Sequence, residues 1–152
     1  MVEVRPGQRA DAIDIVNFQI WMAEETEDFE LDRSTVEKGV AAVFDDPTKG
    51  AYWIAEADGK VAGCLLTVPE WSDWRNGTVL WIHSVYVIPE ARRKGVFRAL
   101  YEALRANVEA SQDLRGLRLY VEHENERAQR TYEAMGMDGS HYKMFEWMRG
   151  AY

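Results

Sequence analysis

The stretch 91-ARRKGVFRAL-100 places Arg92, Arg93 and Lys94 in a row before Gly95, with Arg98 close behind, in a chain whose formal net charge is −8. Phe97, Leu100, Leu104 and Val108 follow at helical spacing through about Ala110, so the cations sit where a helix begins. The N–H groups of a first helical turn have no acceptor within the helix, and the helix dipole adds positive potential there. Cations at that end oppose the dipole, and a bound anion such as phosphate removes the conflict. Glycine at 95 lets the backbone approach such a ligand closely. The stretch is neither GxxxxGK[ST] nor GxGxxG. A solvated helix start is the alternative.

Two further residues have types suited to chemistry. His83, in 78-TVLWIHSVYV-87, has an ordinary pKa of about 6.5, suited to accepting a proton, and a structural hydrogen bond is the competing role. On a strand His83 shares a face with Trp81 and Val85, because side chains alternate. Cys64, the single cysteine, lies in the apolar run 61-VAGCLLTV-68. No cation or histidine sits nearby in sequence to lower its pKa, so it reads as a core residue.

The elements that must position these residues follow from periodicity and turn chemistry. Residues 2-VEVR-5 predict a short strand ended by Pro6 and Gly7. Asp11 caps a helix carrying Ile13, Val16, Ile20 and Trp21, followed by 24-EETEDFELD-32 as an acidic connection. Ser34 and Glu37 form a capping box for a second helix with Val36, Val40, Val43 and Phe44 on one face, closed by Pro47. Strands 51–56 and 60–68 flank an Asp58-Gly59 turn. The stretch 69-PEWSDWRNG-77 reads as a loop and 78–87 as a long strand stopped by Pro89. After the basic turn and its helix come a strand at 117–121, a helix from about Asn125 to Met135 with Gly136 at its C′ position, and a closing strand at 141–147. The order is β-α-α-β-β-β-α-β-α-β: an α/β (α+β) fold with a mixed, twisted central sheet and helices on both faces. With no repeat or linker, residues 1–152 predict a single domain.

The basic turn resembles the phosphate loop of the GNAT (GCN5-related N-acetyltransferase) superfamily, [RQ]-x-x-G-x-[GA], here Arg92-Arg93-Lys94-Gly95-Val96-Phe97. Phe97 departs from the small residue the family prefers. The preceding 85-VYVIP-89 has the family's hydrophobic-x-Val-x-Pro form, and 125-NERAQRTYEAMGM-137 supplies its Asn125, Tyr132 and Gly136-Met137. Element order matches over nearly the whole chain, and the specific motifs span about residues 84–137.

The resemblance implies an acetyl-CoA-dependent N-acetyltransferase that needs no metal. Acetyl-CoA would lie where two parallel strands splay apart. The backbone of Val85, Tyr86 and Val87 would pair with its pantetheine arm. Amides of residues 93–98, with Arg92, Arg93, Lys94, Val96, Phe97 and Arg98 contributing to the loop around Gly95, would hold the pyrophosphate. Asn125 would bond the arm, and Tyr132 would be the acid that protonates the departing thiolate; an ordinary packed aromatic is the alternative for Tyr132. The amine would attack directly within a ternary complex, with backbone donors stabilising the oxyanion. Some family members place a basic Glu where this chain has Trp81, which leaves His83, Glu122 or a water relay as the base. A non-catalytic acyl-CoA sensor of the same fold is the alternative to an enzyme.

The acceptor, a small-molecule, amino-acid or protein amine, would meet the connection after the first helix and the 69–77 loop. Glu24, Glu25, Glu27, Asp28 and Glu30 supply negative potential suited to a cationic amine, unless they are only a solvated face. Trp71, Trp74 and Arg75 form either an acceptor wall or a plug. The sequence pI of about 4.9 argues against nucleic acid as a partner. No apolar run approaches the roughly 18 residues of a membrane span. The absence of a signal-like start and the single cysteine predict a cytoplasmic protein. It is expected to be a monomer, or a homodimer joined through its apolar closing strand.

Overall fold

The computed structural model describes residues 1–150, which group into two compact units: Met1–Arg118, and the chain from Leu119 onward. The first unit is a five-stranded sheet of β1 (Val2–Pro6), β2 (Ala51–Ala57), β3 (Lys60–Ser72), β4 (Gly77–Val87) and β5 (Leu114–Arg118), in that spatial order. The first four strands are antiparallel neighbours, and β4 and β5 are parallel. Three helices accompany them: α1 (Ala12–Glu27), α2 (Arg33–Asp45) and α3 (Val96–Ala110). No helix of the described residues is long and apolar enough to cross a membrane.

Helices cover both faces of this sheet, and two adjacent residues of β3 show it. A Cβ placed on Gly63 would meet Val96 of α3 at 3.2 Å, whereas the Cys64 thiol lies 4.0 Å from Gln19 of α1. Neighbouring strand residues point to opposite faces, so α1 and α3 sandwich the sheet. Ile15, Val16 and Phe18 are buried on α1, and Val96, Leu100 and Leu104 on α3. Leu100 and Leu104 belong to the apolar stripe that the sequence shows.

The Asp58-Gly59 turn has both residues at positive φ, 54° and 74°. That geometry matches the twist of the flanking strands and explains the sharp reversal between β2 and β3.

Several boundaries differ from expectation. Helix α1 continues through Glu27, so Glu24 and Glu25 are helical and the acidic connection begins only at Asp28. Helix α2 starts earlier than the Ser34–Glu37 box implies, because the Asp32 carboxylate accepts the Thr35 N–H at 3.1 Å. The expected 69–77 loop is mostly strand: β3 runs to Ser72, and Trp71 and Ser72 pair with Thr78 and Gly77. Pro69 is tolerated because pairing with β2 ends at Thr67, which leaves β3 an open edge there. Strand β5 lies three residues before the predicted 117–121, in register with Thr78–Trp81.

In the second unit, α4 (Glu126–Ala134) has Asn125 as its N-cap. Gly136, at φ 93°, follows the helix as C′. The Met137 N–H donates to the Tyr132 carbonyl at 3.0 Å and the Gly136 N–H to that of Glu133 at 3.0 Å. Together they are the two bonds of a Schellman motif, which is why a glycine follows this helix. The predicted closing strand at 141–147 pairs with no strand among the described residues, and Phe145 and Trp147 are 93% and 86% exposed. An alternating apolar pattern makes a strand only where an edge receives it.

Candidate active site

Strand β4 pairs with β3 along nearly its whole length, but with β5 only from Thr78 to Trp81. Beyond Trp81, the β5-facing edge of β4 has no strand neighbour among the described residues. This is an open strand edge, whose backbone groups on that side point away from β3. The peptide plane between Val87 and Ile88 shows the direction. The Ile88 N–H donates to Ala62 of β3 at 2.9 Å, so the Val87 carbonyl in that plane points away from β3, where it accepts the Arg92 Nε–H at 2.9 Å.

A bulge interrupts β4 on the way. Cys64 faces Tyr86, but Leu66 faces His83, so β4 holds one residue more than β3 over this interval. Ser84 carries the irregularity at φ 55°. One consequence corrects the alternation read from sequence: Trp81, His83 and Tyr86 share the α1 face, and Tyr86 rather than Val85 continues it. The Trp81 and His83 rings are nearly parallel, with centroids 6.1 Å apart. Burial pushes the His83 pKa below the ordinary imidazole value.

Pro89–Ala91 forms a single 3-10 turn after β4, and Arg92–Gly95 leads into α3. Gly95 is the N-cap of α3 at φ 81°, without a side-chain cap. A Cβ at Gly95 would meet nothing within 4 Å, so its backbone angle and open surroundings, not crowding, favour glycine. The space beside Gly95 is thus open at the start of a helix, whose first-turn amides have no acceptor within it, the setting an anion cradle requires. Arg93, at φ 64°, and Lys94 are exposed. Arg98 lies 3.7 Å from Glu102, and the half-buried Phe97 ring tilts against Tyr101.

Glu25 and Arg92, predicted for opposite sides of the site, are partners. The Arg92 guanidinium donates to Glu25 Oε2 at 2.7 Å, and the Tyr86 hydroxyl donates to Glu25 Oε1 at 2.9 Å. Burial alone would raise the Glu25 pKa, but the bonds from Arg92 and Tyr86 outweigh it and hold the carboxyl below its usual range. Burial, then the bond to Glu25, push the Tyr86 hydroxyl up to about 12. Sequence reasoning took Tyr86 only for its backbone. The missed signal was a pair of dipole conflicts: carboxylates at the C-terminal end of one helix and cations at the start of another, each awkward alone and relieved by pairing.

Trp71 and Trp74 are 65% and 92% exposed near the tip of the β3–β4 hairpin, where the Arg75 side chain donates to the Ser72 hydroxyl at 3.3 Å. Glu24 is exposed on the last turns of α1. Cys64 is fully buried and its thiol pKa is pushed up to about 12 by burial, so it is a core residue. In the second unit, Asn125 Oδ1 accepts the Ala128 N–H at 3.1 Å, capping its own helix. Tyr132, about two turns beyond Asn125, is half-buried, and that burial raises its hydroxyl pKa above the ordinary tyrosine value. Glu122 is exposed and stands outside β5, whose last residue is Arg118.

Residues 16–137 match the model of the acetyltransferase (GNAT) family. Among solved structures, the chain is similar to a possible acetyltransferase from Clostridium difficile 630, at 40% identity over 98% of both chains and a TM-score of 0.91. A ribosomal-protein-alanine N-acetyltransferase from Brucella melitensis biovar Abortus 2308 shares the fold at 16% identity, over 99% of this chain and 100% of that one, with a TM-score of 0.78. So does AAC(6')-Iy, solved with the bisubstrate analogue CoA-S-monomethyl-acetylneamine, at 16% identity over 98% and 99% and a TM-score of 0.75. No curated protein matches the chain significantly.

Proposed function

The chain belongs to the acetyltransferase (GNAT) family, and from that premise we propose that it transfers an acetyl group from acetyl-CoA to a primary amine by direct attack in a ternary complex. The observation that carries this reading is the continuity of two features of the first unit. The open edge of β4 beyond Trp81 runs into the glycine-capped start of α3. An extended amide-bearing arm fits the first feature, and a pyrophosphate fits the second. The family match runs from the first unit into the second, which supports a single catalytic domain.

In this reading the backbone of Val85 to Val87 holds the pantetheine arm. Amides of residues 93–98 hold the pyrophosphate, with Arg93, Lys94 and Arg98 as added charge. Acetyl-CoA supplies an activated thioester carbonyl and a thiol leaving group. Asn125 has its amide nitrogen to offer the arm, since Oδ1 caps α4. Tyr132 holds a proton on its hydroxyl oxygen for the leaving side. His83, neutral over a widened pH range because its pKa is lowered, accepts the proton of the amine at a ring nitrogen.

Glu24 and Glu27, the carboxylates at the end of α1 that Arg92 does not neutralise, favour a cationic acceptor. The similar fold of AAC(6')-Iy, an aminoglycoside N-acetyltransferase, supports that class. The test is a screen of acetyl-CoA consumption, read as free thiol, over polyamines, aminoglycosides, amino acids and peptide N-termini. Thiol release with a cationic amine is expected. Binding of acetyl-CoA without thiol release for any amine would instead favour a non-catalytic acyl-CoA sensor.

His83→Gln is expected to lower kcat by about 100-fold, the usual scale of general-base catalysis. The lowered His83 pKa gives the sign of the pH dependence. A base is active when unprotonated, so wild-type kcat falls only as pH drops below the ordinary imidazole value of about 6.5. The variant loses that acid limb. A pH–rate profile that keeps the limb removes His83 from the role.

A further inference from the structure

The Arg92 side chain turns back from the anion turn toward the strand that precedes it. Its Nε donates to the Val87 carbonyl at 2.9 Å, its Nη2 donates to Glu25 at 2.7 Å, and its guanidinium carbon lies 5.5 Å from the centre of the Tyr86 ring. Tyr86 is itself held: its ring stacks on Phe18 of α1 at 5.2 Å and its hydroxyl takes the other Glu25 oxygen. Glu25 therefore receives one hydrogen bond on each oxygen and ties together the end of α1, the end of β4 and the turn. The next residue, Arg93, has φ 64°, and Gly95 has φ 81°. A non-glycine residue persists in the left-handed region only where its surroundings hold it there.

We propose that Glu25 is a positioning residue of the phosphate-binding turn: with Tyr86 it grips Arg92, and Arg92 holds the strained turn that aims the first amides of α3. The identity of the bound ligand rests on the acetyl-CoA reading above. Arg92 acts as a strut anchored on α1, while the exposed Arg93 and Lys94 are the charges that face solvent and ligand. The acceptor-side helix and the cofactor turn thus share a joint.

Glu25→Gln keeps the side-chain length and an acceptor for Tyr86, but removes the charge that grips Arg92. If Glu25 were only a negative charge beside an anion site, its loss would tighten acetyl-CoA binding; a lost strut weakens it. Calorimetry with acetyl-CoA is expected to show about tenfold weaker binding for Glu25→Gln, a similar loss for Arg92→Lys, and no further loss in the double variant, since the two residues act as one unit. Unchanged or tighter binding in Glu25→Gln, or additive losses in the double variant, overturns the proposal.

Amide hydrogen exchange of residues 93–98 in the ligand-free protein is a second readout that needs no cofactor. Exchange is expected to quicken in Glu25→Gln and to stay at wild-type rates in Glu24→Gln. If wild-type protein takes up no acetyl-CoA, the acetyltransferase reading fails on its own, and exchange decides the strut. Equal rates in wild type and Glu25→Gln overturn it.

Discussion

Gly95→Asp is expected to abolish measurable acetyl-CoA binding in a protein that still folds. The fold tolerates the side chain because a Cβ at this position would meet no atom within 4 Å. The backbone cost is that of an L-residue at φ 81°, about 1 kcal/mol, and aspartate tolerates this region better than most. A carboxylate at an N-cap also bonds the first-turn amides and offsets part of that cost. The same bond is what excludes the ligand, because the carboxylate occupies the donors a pyrophosphate needs. Its charge adds repulsion: two like charges about 4 Å apart near a protein surface cost about 4 kcal/mol. Affinity should therefore fall by at least about 100-fold, with every 1.4 kcal/mol worth tenfold. Gly95→Ala is the control, since it carries the backbone strain without the carboxylate and should lose less than about tenfold. Calorimetry showing normal affinity in the aspartate variant refutes the anion turn.

Tyr132→Phe is expected to lower kcat by about 100-fold or more, with the acetyl-CoA KM within about twofold of wild type. General acid catalysis contributes on that scale, and phenylalanine keeps the ring while deleting only the hydroxyl. The C-terminal motif of helix α4 is kept, because the Tyr132 atom in it is the backbone carbonyl. Burial raises the Tyr132 pKa, so the hydroxyl keeps its proton through neutral and moderately alkaline pH. Wild-type kcat should hold as pH is raised to the ordinary tyrosine value of about 10 and fall above it. The variant lacks that alkaline limb. Turnover equal to wild type removes Tyr132 from the proton-donor role.

Local chemistry made most of the elements legible. The Asp58-Gly59 turn, the Gly136 helix end and the stripe through Leu100 and Leu104 each depend on a few neighbouring residues, and each stands as read. Failures occurred where a distant partner decides. The closing segment at 141–147 has the alternation of a strand but no strand neighbour among the described residues, and the Pro69–Gly77 stretch has the composition of a loop but finds β4 opposite it.

The sequence by itself determined the family, through the spacing of Arg92, Gly95, Asn125 and Tyr132, and with it the element order up to α4. It also placed the start of α3 beside Gly95, a position that the structure gives a positive φ that glycine adopts at little cost. Tertiary structure decided which side chains meet. The bulge at Ser84 puts His83 and Tyr86 on one face although three positions separate them, an odd spacing that a regular strand would send to opposite faces. Glu25 and Arg92, 67 residues apart, become one ion pair. Register shifts and long-range ion pairs arise from how strands and helices dock, so a local pattern can flag a charge that opposes its helix dipole but cannot name its partner.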